Sequence, residues 1–369
     1  MELEQSLALN IRDLMPYKAG MTKRELQREK GLNRVDKFAS NESPKGLSAY
    51  IKDEIYSSLE EAHCYPDYQQ LREAIANNAN VMESQVILGN GSIDVIELAF
   101  RLMAKKGGHL LCSEFGYFSY PLLAQAVGLG IKTVPSGQQF CHEIQHLLAQ
   151  CNSQTAIIAL DSPSNMSGQM LSIKQLTDLL TVVPKHVLVL LDQAYIEFAH
   201  EAISQASVRL LKTFDNLLIT RTFSKAYGLA GLRVGYGLAN VKLIDWLSRL
   251  QRPFPIAGMA ATAAVASLQD PEHLQQILMQ VNEGKHFLID KLTELGFKII
   301  NGEGNFILIL LNEDDFELSE FLLTQGIIVR AMGSYKRPDL VRVSVSTPES
   351  HYRLVDAIKR FQSRKRLAG

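Results

Sequence analysis

Arg221-Thr222-Phe223-Ser224-Lys225-Ala226-Tyr227-Gly228-Leu229-Ala230-Gly231-Leu232-Arg233-Val234-Gly235-Tyr236 follows directly on the apolar run from Asn216 to Thr220. The pattern puts one lysine in a loop after a strand, beside a hydroxyl and ahead of an arginine. A free lysine amine has a pKa of about 10.4 and is a poor nucleophile near neutrality. Carbonyl chemistry therefore requires partial desolvation or a neighbouring cation, and Arg221 and Arg233 are the sequence's candidates for that field. Ser224 and Arg233 also pair a hydroxyl with a fork of guanidinium donors, the groups that would hold a phosphate dianion. A lysine beside a phosphate cradle suggests pyridoxal phosphate.

The remaining composition narrows the classes. A chain of 369 residues exceeds what one hydrophobic core usually supports, so two domains are expected. The formal net charge of -1 gives no field for nucleic acid or an anionic membrane surface. Met1 to Asn10 lacks a basic segment followed by an apolar one, and no apolar run approaches the ~20 residues of a membrane helix. Cys64, Cys112, Cys141 and Cys151 are scattered without a metal-ligand spacing, and read as reduced thiols of a cytoplasmic protein with no metal site.

From Val86 to Leu238 seven strand candidates alternate mostly with helical stretches, an α/β pattern. Val86 to Leu88 leads into the turn Gly89-Asn90-Gly91-Ser92 and a helix from Ile93 to Met103, which offers backbone N–H groups to an anion. Asp94 stands where a dinucleotide fingerprint needs its third glycine, so a nicotinamide cofactor gains little support. Val187 to Leu191 is an apolar run of the kind buried in a parallel sheet, and it ends in Asp192. A carboxylate there is costly unless paired, and a pyridinium N–H is a suitable partner. Gly91, Tyr117, Asn165, Asp192 and Lys225 each follow a strand candidate, and ligands of open α/β sheets bind at those carboxyl ends.

After Arg252-Pro253-Phe254-Pro255 come two helical patterns and then four short strands with two helices, a smaller α+β unit. The expected organisation is thus a mostly parallel seven-stranded sheet in a large cofactor-binding domain, residues 46–254, with a small domain from residues 1–45 and 255–369. Arg330 ends one of the later strands and Arg342 lies inside another. An arginine in an apolar strand is usually paired or functional.

The lysine segment resembles, nearly letter for letter, the cofactor-bearing segment of the fold-type-I aminotransferases, in the branch containing histidinol-phosphate aminotransferase. The likeness runs from Pro16-Tyr17-Lys18 to Val341-Arg342-Val343-Ser344. It implies that Lys225 is catalytic and bonds pyridoxal 5'-phosphate. It further implies that Gly91, Ser92, Ile93, Ser224 and Arg233 bind the cofactor around its phosphate. Tyr117 would lie against the ring, Asn165 and Tyr195 would bond its phenolic oxygen, and Asp192 its nitrogen. Tyr65, in Tyr65-Pro66-Asp67, would reach the cofactor of the other subunit, making a homodimer. Tyr17, Asn41, Arg330 and Arg342 would bind substrate. Ser43, Met166 and Gln193 depart from the family pattern, and Met166 replaces a proline associated with a cis bend.

The implied reaction interconverts L-histidinol phosphate and 2-oxoglutarate with imidazole-acetol phosphate and glutamate. An aromatic amino acid aminotransferase shares the motifs, and a threonine-phosphate decarboxylase shares the cofactor site. A non-catalytic regulator that kept the fold is the alternative from a different class.

Overall fold

The apolar runs become strands because their branched side chains pack on both faces of a pleated sheet. In the computed structural model, which describes residues 6–12, 14–16, 20–312 and 317–368, twelve strands make two sheets. In chain order they are β1 (Asp36–Phe38), β2 (Val86–Asn90), β3 (His109–Ser113), β4 (Gly130–Val134), β5 (Thr155–Asp161) and β6 (Leu188–Asp192). They continue as β7 (Leu217–Thr222), β8 (Val234–Leu238), β9 (Lys298–Ile300), β10 (Phe306–Leu310), β11 (Ile327–Ala331) and β12 (Leu340–Ser344).

The large sheet has the order β2-β8-β7-β6-β5-β3-β4. Helical crossovers keep β3 to β7 parallel, whereas β7 returns directly through the lysine segment into β8. β8 therefore runs antiparallel to both β7 and β2. Neighbouring side chains alternate between two cores: Leu111, Ile158, Leu160, Val189 and Leu191 pack on one face, and Leu110, Ile157, Leu188 and Leu190 on the other. Each such side chain contributes about 1.5–3 kcal/mol on burial. That fixes strand register, and with it which residues meet at the sheet edge.

The small sheet has the order β1-β11-β12-β10-β9, so the N-terminal segment joins it through β1, parallel to β11. The helix Lys23–Lys30 ahead of β1 begins with a capping box: Thr22 Oγ1 accepts from the Glu25 amide at 3.2 Å, and Glu25 Oε2 from the Thr22 amide at 2.7 Å. The helix Gly258–Leu268 departs from the expected division. Ile256 and Ala260, Ala261, Ala263, Ala264 and Ala266 pack into the large core with Ile51 and Leu71. These small side chains allow close helix approach, and we propose that the division falls after Leu268 instead of at 254/255. Among the described residues, no helix is long and apolar enough to cross a membrane.

Candidate active site

Because β8 alone runs backwards, its first residue meets the carboxyl ends of β2, β3, β5, β6 and β7 at one edge. A cavity of about 440 Å³ lies there, lined by Tyr117, Asn165, Asp192, Tyr195 and Lys225, and by Ser92, Ile93, Ser224 and Arg233. The spacing of turn residues after strands thus does bring these side chains together.

Gly91 precedes the helix Ser92–Met103 with φ +75, and no side chain caps that helix start. A Cβ on Gly91 would come within 2.3 Å of Arg233 Nη2, and one on Gly235 within 2.2 Å of the Ser92 nitrogen. Two glycines therefore let β8 press against the turn and seat the guanidinium over the helix N-terminus. Arg233 Nη1 donates to Ser224 Oγ at 3.3 Å and to the Ala230 carbonyl at 3.2 Å. Asp94, the residue that breaks the dinucleotide pattern, accepts the Asn90 amide at 3.0 Å and so fixes the turn.

Asp192 ends β6 and is buried, accepting from Thr220 Oγ1 at 3.2 Å and from Tyr120 Oη at 3.3 Å. Burial first, and then the charge of Asp161 beside it, push its pKa up to about 7. It forms no ion pair with Lys or Arg among the described residues. Tyr195 Oη accepts from Asn165 Nδ2 at 2.8 Å and from Asn41 Nδ2 at 2.9 Å. Both lone pairs are then used, which leaves the hydroxyl proton to be donated elsewhere.

Lys225 Nζ donates to the Ser40 carbonyl at 2.9 Å and lies 5.7 Å from the centre of the Tyr195 ring. Its pKa is lowered to about 8, by burial first and then by the Arg342 charge, with Arg233 adding a smaller push against Glu42 and Asp192. The field expected from Arg221 is not there. Arg221 points to the other side of β7, giving Nε and Nη2 to Gln193 Oε1 at 3.0 and 2.9 Å. Register explains the correction: successive residues of a strand face opposite ways, and Arg221 lies within β7.

A second compartment of about 150 Å³ shares Ser40, Tyr117, Asn165, Tyr195 and Lys225 with the first and is closed by Arg330, Tyr335 and Arg342. Arg330 and Arg342 are direct partners across β11 and β12. Neither has a carboxylate ion-pair partner among the described residues. Arg342 is buried, giving Nη1 to the Asn165 carbonyl at 2.5 Å and to Asn165 Oδ1 at 3.0 Å, while its Nε has no partner. Two like charges held side by side without a carboxylate are costly, and an anion entering the compartment relieves that cost. The arrangement is an amine between two anion sites, with a buried carboxylate opposite.

The aminotransferase class I and II family matches residues 34–358 of this chain. Histidinol-phosphate aminotransferase 1 of Nitrosococcus oceani is 37% identical over 357 residues, covering 96% of each chain. Histidinol-phosphate aminotransferase 2 of Methylococcus capsulatus is 36% identical over 346 residues, covering 92% of this chain and 93% of its own. This chain belongs to the histidinol-phosphate aminotransferase family. The fold agrees: the crystal structure of the histidinol-phosphate aminotransferase of Sinorhizobium meliloti in complex with pyridoxal 5'-phosphate superposes with a TM-score of 0.88 at 21% identity, covering 96% and 98% of the two chains.

The other expected residues of this aminotransferase lie elsewhere. Asn41, expected at substrate, is fully buried behind Tyr195 and outside the lining of both compartments. Its amide is used by Tyr195, and its Oδ1 accepts from Ser344 Oγ at 2.7 Å. Tyr65 is 81% exposed and stacks on Phe254 at 4.3 Å, outside its own chain's cavity. Tyr17 lies outside the described residues. The peptide before Met166 is not cis, and the one cis bond among the described residues is Ser162–Pro163. Met166 is buried against Ile300, Leu308, Met332 and Leu340, so its side chain ties this loop to the small sheet.

Sequence reading missed Asp161 and His142, which are both buried beside the cavity. Asp161 carried the signal already used for Asp192, a carboxylate ending an apolar strand. His142 carried none.

Proposed function

We propose that this aminotransferase moves an amino group from L-histidinol phosphate to 2-oxoglutarate, giving imidazole-acetol phosphate and L-glutamate, with pyridoxal 5'-phosphate bound at Lys225. The observation that carries the reading is the Arg330–Arg342 pair, which has no carboxylate partner among the described residues and faces the same compartment as Lys225. Guanidinium forks suit a phosphate and a carboxylate alike, so one site can serve both half-reactions. The names of the full-length relatives favour histidinol phosphate as the donor.

The donor set fits the cofactor. Asp192 has only neutral donors on its oxygens, which suits a cationic ring N–H. The uncapped helix start at Ser92 and Ile93, with Ser224 and Arg233, suits a phosphate. The free proton of Tyr195 suits a phenolic oxygen, with Asn165 holding Tyr195 from one side and Asn41 from the other. Tyr117 would offer a flat face to the ring. When bound, the cofactor supplies an electron sink for the pair released at the substrate carbon. Lys225 Nζ, already partly neutral near pH 7 to 8, would take up the proton from that carbon and hold it for delivery to the carbon that keeps the amino group. The arginines hold the substrate's anionic end away from that bond.

Single-turnover spectra test the donor. Histidinol phosphate is expected to bleach the visible band of the cofactor-loaded enzyme faster than phenylalanine or tyrosine, whereas bleaching by the aromatic amino acids alone would make the second reading correct.

We further propose a homodimer in which Tyr65 completes the partner's site. The exposed Tyr65–Phe254 stack supports this, because it presents a phenol away from its own cavity. Mixing inactive Lys225→Ala chains with weakened Tyr65→Ala chains should restore activity, since half of each mixed dimer's sites then have both groups. A fully active monomer in sedimentation would exclude this role.

A further inference from the structure

We propose that Asp161, held from behind by His142, is a positioning residue that locks the loop of Tyr117 and the loop of Asn165 on either side of the bound cofactor. The inference rests on the cofactor reading above and assigns work to two side chains outside it. Asp161 ends β5 and is 3% exposed, on the wall of the larger compartment. Its Oδ1 accepts the Tyr117 backbone amide at 3.2 Å, and its Oδ2 accepts that of Asn165 at 2.5 Å. One carboxylate thereby joins the segment after β3 to the segment after β5. Those segments carry the aromatic face and the amide that holds Tyr195.

His142 completes the brace. It comes from the loop after β4 and is 4% exposed. Its Nε2 lies 2.9 Å from the Asp161 carbonyl oxygen and 3.2 Å from Oδ1, and its Nδ1 lies 2.8 Å from Ser113 Oγ at the end of β3. Ring and carboxylate thus tie the ends of β3 and β5 to the loop that follows β4.

A carboxylate at position 161 is expensive. Asp161 is the register partner of Asp192, so two acidic groups share one buried edge, and their repulsion would vanish with a neutral residue. What only an ionised carboxylate supplies is acceptors on both oxygens. Asparagine has nearly the same shape but turns a donor toward one of the two backbone N–H groups. It would release either Tyr117 or Asn165 while leaving the volume filled.

The experiment titrates the apoenzyme with pyridoxal 5'-phosphate, following visible absorbance and induced circular dichroism, for the wild type, Asp161→Asn and His142→Leu. The expected result for Asp161→Asn is a dissociation constant raised about tenfold or more and a reduced dichroic band, with the apo melting midpoint little changed. His142→Leu should shift both in the same direction by less. A contribution to folding alone would move the melting midpoint and leave the dichroism of bound cofactor intact. Two folded variants that bind with wild-type affinity and dichroism overturn the proposal. Should Asp161→Asn fail to fold, His142→Leu decides: a reduced band supports the proposal and an unchanged band overturns it. Loss of folding in both overturns it too, since the pair would then hold the lobe instead of the loops. A wild type that takes up no cofactor sinks the functional reading itself, a result separable from all of these.

Discussion

Lys225→Ala is expected to lower turnover by about 10⁴-fold or more while leaving the apoprotein folded. Among the described residues Lys225 is the only lysine lining either compartment, and none of them offers a neighbouring amine in its place. Proton transfer by a positioned group accounts for about 10²–10⁴ on its own, and loss of the covalent nucleophile adds to that. The fold should survive because Nζ makes one hydrogen bond, to the Ser40 carbonyl, worth about 1 kcal/mol. Its removal also relieves the burial of a cation beside Arg342. The pH dependence gives an independent check. With a folded pKa of about 8 against an ordinary 10.5, the native chain releases this proton where the unfolded chain still holds it. Wild-type apoprotein should therefore gain stability as pH rises from 8 to 10.5, and the alanine variant should lack that gain. The rate of cofactor uptake should rise with pH to a midpoint near 8. Borohydride reduction of the loaded wild type should leave the adduct on the peptide containing Lys225. Recovery on another peptide, or a variant that keeps a hundredth of the turnover, would remove Lys225 from its role.

The positions that follow strands were legible in the sequence because two local signals coincide there, an apolar run and a cluster of turn residues. Asp192, Asn165 and Lys225 are of this kind, and the structure gathers them at one cavity. Direction was not legible. Arg221 and Arg233 flank the same segment, yet one serves Gln193 and the other reaches Ser224, because Arg221 lies within β7 whereas Arg233 precedes β8 in a left-handed turn at φ +58. Arg330 and Arg342 could each be flagged from their apolar strands, but their pairing depends on an antiparallel register that no local pattern specifies. Asn41 was expected at substrate from the resemblance and lies behind Tyr195, since the turn at φ +52 carries it into the buried contact with Ser344. His142 is further from inference, because its partners Ser113 and Asp161 are 29 and 19 residues away on other strands. The boundary expected at 254 rests on a local signal, and the long-range packing that bears on it was not legible. The proline-rich break is real, but the alanine-rich helix after it has no wide polar face and packs back into the large core.

Asp192→Asn should separate stability from activity, because the same burial that makes the carboxylate useful makes it costly. Its folded pKa of about 7 exceeds the ordinary 3.8, so the native apoprotein keeps a proton that the unfolded chain loses. Stability contributed at low pH is therefore lost as pH rises from about 4 to 7, on the order of 4 kcal/mol when the difference is taken at 1.36 kcal/mol per pKa step. Asparagine keeps an acceptor for Thr220 or Tyr120 and carries no charge to bury. At pH 8 the apo variant should melt above the wild type, and at pH 4 the two should converge. With cofactor present the order of merit reverses. On the proposed reading the carboxylate would then have a cationic partner, and its loss would remove the charge that keeps the ring nitrogen protonated. Removing one preorganised electrostatic group from an enclosed site costs about 10²–10³ in turnover. Cofactor should also stabilise the wild type more than the variant in melting curves at pH 8, since only the wild type gains an ion pair on binding. An apo variant that melts below the wild type at pH 8, or a loaded one that keeps a tenth of the turnover, would show that Asp192 is paired with something other than the cofactor.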